Sequence, residues 1–105
     1  GNRKTKGAQK EIFDALGLPY GHFIESFDHS HIQGADPVSA LVVFKDGEPE
    51  KTAYRKYKLK GEVEHQNGGD EVRNTREVVR RRYGRLLREH KRMPDLILMD
   101  GGQMN

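Results

Sequence analysis

Two stretches constrain this chain more than any others: Phe27-Asp28-His29-Ser30-His31 and Leu96-Ile97-Leu98-Met99-Asp100-Gly101-Gly102. In each, an apolar run ends on an aspartate and breaks into a loop. A carboxylate at the end of a buried strand is costly unless it is paired or coordinates a metal. Two such carboxylates in one small basic domain predict a divalent-metal site that faces a polyanion. The competing reading is that each aspartate caps the loop after its strand.

The segments between these motifs set the order of elements. Asn2-Arg3-Lys4-Thr5-Lys6-Gly7 reads as a flexible polar lead-in. From Ala8 to Leu16 a short helix is expected, with Ile12, Phe13 and Leu16 on one side and Gly17 as its stop. His22 to Asp28 reads as a strand, with Phe23 and Phe27 on one face and Ile24, Ser26 and Asp28 on the other. Val38 to Phe44 is β-rich and almost wholly apolar, and Asp46-Gly47 is a hairpin signal. A third strand is expected from about Thr52 to Leu59, with the polarity of an edge. Gly61 to Gly69 reads as a polar loop.

After Asp70 the apolar period changes from two to three and four. Val72, Thr75, Val79, Tyr83 and Leu86 make one stripe, widened by Val78 and Leu87, so an amphipathic helix should run to about His90. Asp70 or Asn67 could cap it. Leu96 to Met99 then reads as a buried strand parallel to the first. The order β-β-β-α-β, with an antiparallel meander and a right-handed crossover, matches the first part of the ribonuclease H fold. The expected fold class is therefore α/β: a mixed sheet with an antiparallel three-strand meander, a crossover helix and a parallel fourth strand. Residues 1–21 form the lead-in, short helix and linker, and 22–105 a partial ribonuclease H-like domain.

Composition narrows the class of partner. One third of the 105 residues are charged and the net charge is +3, a basic bias compatible with nucleic acid. There are no cysteines, which excludes disulfides and thiolate metal sites and suits the cytoplasm. No apolar run approaches the roughly 20 residues of a membrane-spanning helix. The chain stops soon after Asp100, leaving nothing to cover a buried strand there. It therefore reads as an excerpt, with apolar surface expected on the final strand.

Beyond these patterns, the run Phe27-Asp28-x-Ser30-x-Ile32-Gln33-Gly34-Ala35-Asp36-Pro37-Val38-Ser39-Ala40 resembles the start of the C-terminal endonuclease domain of the UvrC family, the incision subunit of bacterial nucleotide excision repair. The resemblance continues through Val42-Val43-Phe44-Lys45-Asp46-Gly47, Tyr54-Arg55-Lys56-Tyr57 and Arg76-Glu77-Val78-Val79-Arg80-Arg81-Arg82-Tyr83. It ends on Pro94-Asp95-Leu96-Ile97-Leu98-Met99-Asp100-Gly101-Gly102. It implies a ribonuclease H-like endonuclease that cuts 5′ to a DNA lesion. The family's first carboxylate falls on Asp28 and its fourth-strand carboxylate on Asp100. A further acidic position falls on Glu71, with Asp70 beside it. The family's catalytic histidine lies beyond Asn105, so none of His22, His29, His31, His65 or His90 corresponds to it. Damaged double-stranded DNA and the other subunits, UvrA and UvrB, are the implied partners of the full-length protein. No membrane and no small-molecule cofactor is implied.

Phosphodiester hydrolysis needs an activated water and neutralised charge on the reacting phosphate, and Mg²⁺ or Mn²⁺ can supply both. Asp28 and Asp100 are the expected metal ligands; Glu71 and Asp70 are candidate helpers. Gly101-Gly102 permits a tight turn, with or without a phosphate nearby. His29 and His31 read as satisfied or solvent-facing histidines more readily than as zinc ligands. Arg73, Arg76, Arg80, Arg81, Arg85 and Arg88 occupy the polar side of the long helix, with Arg82 nearer its boundary. Of these, Arg76, Arg80, Arg81 and Arg85, together with Lys56, are the candidate DNA contacts, set against a plain solvated face. Two rival functions remain: a catalytically silent binding module of the same fold, and an RNA–DNA hybrid nuclease.

Overall fold

A computed structural model of the chain describes residues 2–30, 36–60 and 69–100. Its elements are α1 (Asn2–Ala15), β1 (Phe23–Ser30), β2 (Val38–Lys45), β3 (Glu48–Pro49), a 3-10 turn (Lys51–Ala53), β4 (Arg55–Lys58), α2 (Gly69–Arg88) and β5 (Leu96–Asp100). The strands form one sheet in the order β3-β2-β1-β5, with β4 also pairing β2.

The first helix is longer than its apolar residues suggest, because the polar stretch from Asn2 to Gly7 is helical and not a flexible lead-in. Tertiary contacts accompany it, beginning with the Thr5 backbone, which lies close against Gly47. The buried Gln9 donates from Nε2 to the carbonyls of Gly21 (2.8 Å) and His22 (3.0 Å), and its Oε1 accepts from Gly47 N–H at 2.6 Å. One side chain thus satisfies three backbone groups where helix, linker and hairpin meet. The helix ends as expected at Gly17, whose φ of +71° lets Gly17 N–H reach Asp14 O and Leu18 N–H reach Phe13 O.

Asp46 and Gly47 both have positive φ, 52° and 84°, the signature of the type I′ turn that suits a two-residue hairpin. The strand after it is interrupted. β3 continues the pairing of β2 for two residues, the 3-10 turn bulges out, and β4 resumes with the register shifted by the three residues of that turn. The single strand expected from Thr52 to Leu59 is therefore confined to Arg55–Lys58.

α2 crosses the face of the sheet that carries Phe23, Glu25, Phe27 and His29. Phe27, Leu41, Val43, Leu59, Val78, Tyr83 and Leu86 form the core between them. The helix is rotated slightly from its expected stripe, since Val78 is fully buried while Val72 and Leu87 are 57% and 63% exposed. Its C-terminus closes on His90 (φ 55°), with His90 N–H donating to Leu87 O and Lys91 N–H to Leu86 O. This is a Schellman closure with a histidine at the left-handed position.

β5 lies parallel to β1, with Ile24 opposite Leu96 and Asp28 opposite Asp100. Asp95 anchors its start: its N–H donates to Phe23 O (2.9 Å), and its Oδ2 accepts from Phe23 N–H (3.0 Å). β5 is not the buried strand expected from its apolar run, for Ile97 and Leu98 are each 39% exposed. The expectation of apolar surface on this strand agrees with that exposure.

Candidate active site

The two aspartates that end the apolar runs meet. Asp28 and Asp100 are register partners on adjacent parallel strands, both exposed, at the C-terminal ends of those strands. Register partners point to the same side of a sheet, and neighbouring strands lie about 4.8 Å apart. Two carboxylates so placed repel each other unless a cation comes between them. The alternation along β1 puts Asp28 on the face of Ile24 and Ser26, away from α2.

His29, the next residue, points the other way. Its side chain is 5% exposed, with Nδ1 3.0 Å from Ser39 Oγ and Nε2 3.1 Å from Thr75 Oγ1. It is a satisfied histidine that ties β1 to β2 and to the first turns of α2. Glu71 Oε2 lies 3.8 Å from His29 Nε2, which brings Glu71 to the same end of the sheet as the aspartate pair but on the side of α2. Among the described residues, no group of three or more His, Cys, Asp or Glu side chains gathers as a metal cage. The side chain of Asp70 and residues His31, His65, Asn67, Gly101 and Gly102 lie outside the described residues.

The candidate DNA contacts divide into two sets. Arg76, Arg80 and Lys56 are exposed. Arg81 is engaged, donating to Lys58 O (2.8 Å) and Glu77 Oε2 (3.3 Å) and stacking 5.4 Å from the Tyr57 ring centre. Arg85 pairs with Glu89 at 2.9 Å on the surface. Lys56 also stands on a different side of the sheet from the four arginines. Lys56 is opposite Ala40, which is opposite Asp28, so Lys56 shares the face of the aspartate pair. The arginines ride on the helix that covers the other face.

One cluster escaped sequence reasoning altogether. Buried Glu25 accepts from Arg82 Nε (3.2 Å) and Nη2 (2.9 Å) and from Tyr83 O–H at 2.6 Å. Burial, reinforced by the hydrogen bond to Glu25, pushes the Tyr83 phenol well above its ordinary pKa. Burial alone would lower the pKa of Arg82, but the hydrogen bonds and charge of Glu25 outweigh it and hold that pKa up. This ion pair fastens α2 across β1 and so sets the helix that carries Glu71. The available signal was a lone glutamate on the Phe23 and Phe27 face, which needs a cation.

A mixed sheet of this order, with one parallel pair and a crossover helix between its strands, defines a ribonuclease H-like α/β domain. The chain belongs to the UvrC RNase H endonuclease domain family, whose model matches residues 13–105. It is 96% identical over 104 residues to UvrABC system protein C of Lactobacillus helveticus, which covers 99% of this chain. Its identity to the protein of the same name is 88% over 104 residues in Lactobacillus gasseri and 68% over 101 residues in Limosilactobacillus reuteri, covering 99% and 96% of this chain. The chain spans 16–17% of the length of these relatives.

Proposed function

We propose that this chain is part of a metal-dependent DNA endonuclease that hydrolyses a phosphodiester 5′ to a lesion in nucleotide excision repair. The observation that carries the reading is the pairing of Asp28 with Asp100, both exposed, at the ends of adjacent parallel strands. Membership of a family described as an endonuclease domain supports it. The donor set suits a hard divalent cation, because Mg²⁺ and Mn²⁺ favour oxygen ligands and Mg²⁺ needs only one or two carboxylates beside water and phosphate. When bound, such an ion supplies charge neutralisation at the phosphate and a more acidic water.

Asp28, from the central strand, and Asp100, from the edge strand, would hold the ion. Glu71, whose Oε2 lies 3.8 Å from His29 Nε2, assists from the α2 side of the same end of the sheet, with Asp70 next to it in the sequence. Lys56, Arg76 and Arg80 offer phosphate contacts first, and Arg81 and Arg85 only by giving up intramolecular partners. Such contacts position a duplex and read no sequence, which suits a target chosen by damage.

The relatives' name, UvrABC system protein C, supports UvrA and UvrB as partners of the full-length protein, and the family's endonuclease description supports DNA as its substrate, which we take to be damaged and double-stranded. Action in the cytoplasm follows from that role. Among the described residues, no helix is long and apolar enough to cross a membrane.

Asp28→Asn in the full-length protein tests the assignment. Losing a ligand that carries several kcal/mol of transition-state stabilisation should slow incision by about 100-fold or more. Incision at the wild-type rate would instead favour a silent binding module. Addition of Mn²⁺ to this chain should broaden the amide signals around Asp28 and Asp100 selectively, and Asp28→Asn should weaken that effect.

A further inference from the structure

The strand register carries a consequence for the path of the cleaved strand. Asp100, Asp28, Ala40 and Lys56 form one row across β5, β1, β2 and β4, each opposite the next. Ser30, Val38 and Lys58 form a second, parallel row one strand-face step beyond it. Members of both rows point to the same side of the sheet. Asp28, Asp100, Lys56, Lys58 and Ser30 are all exposed there, and Ala40 between them is small. The carboxylate pair is thus flanked by two ammonium groups on the face opposite α2. Lys56 stands two strand spacings from Asp28, roughly 10 Å, within reach of a phosphate next to one held at the carboxylates.

We propose that Lys56 and Lys58 hold the phosphates next to the cleaved one, so that the cut strand crosses the sheet over β1 and β2 on the face away from α2. The inference rests on the nuclease reading of Asp28 and Asp100 and adds a direction to it. Among the described residues the small side chain of Ala40 leaves that path open, and the compact ammonium groups act as point charges for phosphate oxygens. The α2 arginines stand on the far side of the sheet and lie off that path. If the lysines merely protected an edge strand from pairing with another chain, as exposed lysines often do, neutral polar residues would replace them without effect on cleavage.

The test compares variants of the full-length protein in its assembled repair system, acting on a duplex with one bulky base adduct. Lys56→Gln/Lys58→Gln should lower kcat/KM at least about tenfold at physiological salt. It should also make the slope of log(kcat/KM) against log[salt] shallower by about 1 to 2, given the contribution of each phosphate contact. Lys56→Arg/Lys58→Arg should keep most of the rate, and Arg80→Gln should lose far less than the lysine pair. Both lysines are exposed, so the thermal midpoint should stay unchanged. A glutamine pair with wild-type kcat/KM and salt slope, beside an inactive Asp28→Asn variant, would overturn the proposed path and leave the nuclease assignment standing. An active Asp28→Asn variant would overturn both.

Discussion

Glu25 shows how a single side chain can determine where a helix sits. It is the charged residue on the buried face of β1, and Arg82 and Tyr83 on consecutive positions of α2 both satisfy it. Removing one partner of a buried pair costs more than the pair itself contributes, since the other charge stays desolvated. Arg82→Met should therefore lower stability by about 3 to 5 kcal/mol in urea unfolding. Glu25→Leu/Arg82→Met should recover most of that loss, because no charge is then stranded. A single variant as stable as the parent would mean that water replaces the guanidinium. The pairing was hard to read in the sequence because Arg82 sits in the run Arg80-Arg81-Arg82. A stripe read at three- and four-residue steps leaves the phase of the helix open by about one residue, and that margin decides which arginine turns inward. Asp28 and Asp100 were legible for the opposite reason, since each directly follows the last apolar residue of its strand, Phe27 or Met99, with no second carboxylate beside it.

A second residue-scale contact contributes to the response to alkali. The Tyr20 hydroxyl donates to Asp46 Oδ1, and His22 Nδ1 lies 2.7 Å from the same oxygen. Burial first, then the Asp46 hydrogen bond and charge, push the Tyr20 pKa from 10.0 to about 12. The folded state therefore holds the phenolic proton more tightly than the unfolded chain. The resulting stabilisation is complete below pH 10 and is lost as pH rises towards about 12. Unfolding midpoints measured across that window should fall, and Tyr20→Phe should flatten part of the decline. Its neighbour Asp46 works at the other end of the scale, its pKa held low by the Tyr20 and His22 hydrogen bonds.

At the level of elements, local chemistry was readable and tertiary rescue was not. Asp46-Gly47 and Gly17 signal their turns through the backbone angles they tolerate, and both turns form where expected. The helical state of Asn2 to Gly7 has no such signal, because the contacts made there, the Thr5 backbone against Gly47 and Gln9 against the Gly21 linker, come from far along the chain. The break between β3 and β4 is equally silent, since a three-residue shift turns the alternation of β4 over to the opposite faces yet leaves it an alternation in the sequence. At the other end of α2, His90 occupies a left-handed position that strains any residue with a Cβ. His90→Gly should raise stability by about 1 kcal/mol, the strain relieved exceeding the entropy added to the unfolded chain. Thermal unfolding of the two forms measures it, and a lower midpoint for the glycine form would mean that the imidazole contributes more than its backbone costs.

The whole molecule separates its stability from its site. The core joins β1, β2, Leu59 and α2, whereas β5 contributes only Met99 at its margin. Yet β5 carries Asp100, so half of the carboxylate pair hangs on a strand that the core does not need. What holds that strand is its pairing with β1 and the two hydrogen bonds between Asp95 and Phe23 at its start. Hydrogen exchange should therefore be faster in β5 than in the paired centre of β1 and β2, the pattern of a local opening below the global unfolding energy. Asp95→Ala removes the charge-assisted bond to Phe23 N–H, a local loss of about 1.5 to 3 kcal/mol. It should speed exchange in β5 and weaken Mn²⁺ broadening at Asp28 and Asp100, while the urea midpoint reported by Tyr83 and the rest of the core shifts little. Equal losses in metal response and in global stability would show instead that β5 unfolds only with the core, leaving the carboxylate pair as rigid as the sheet itself.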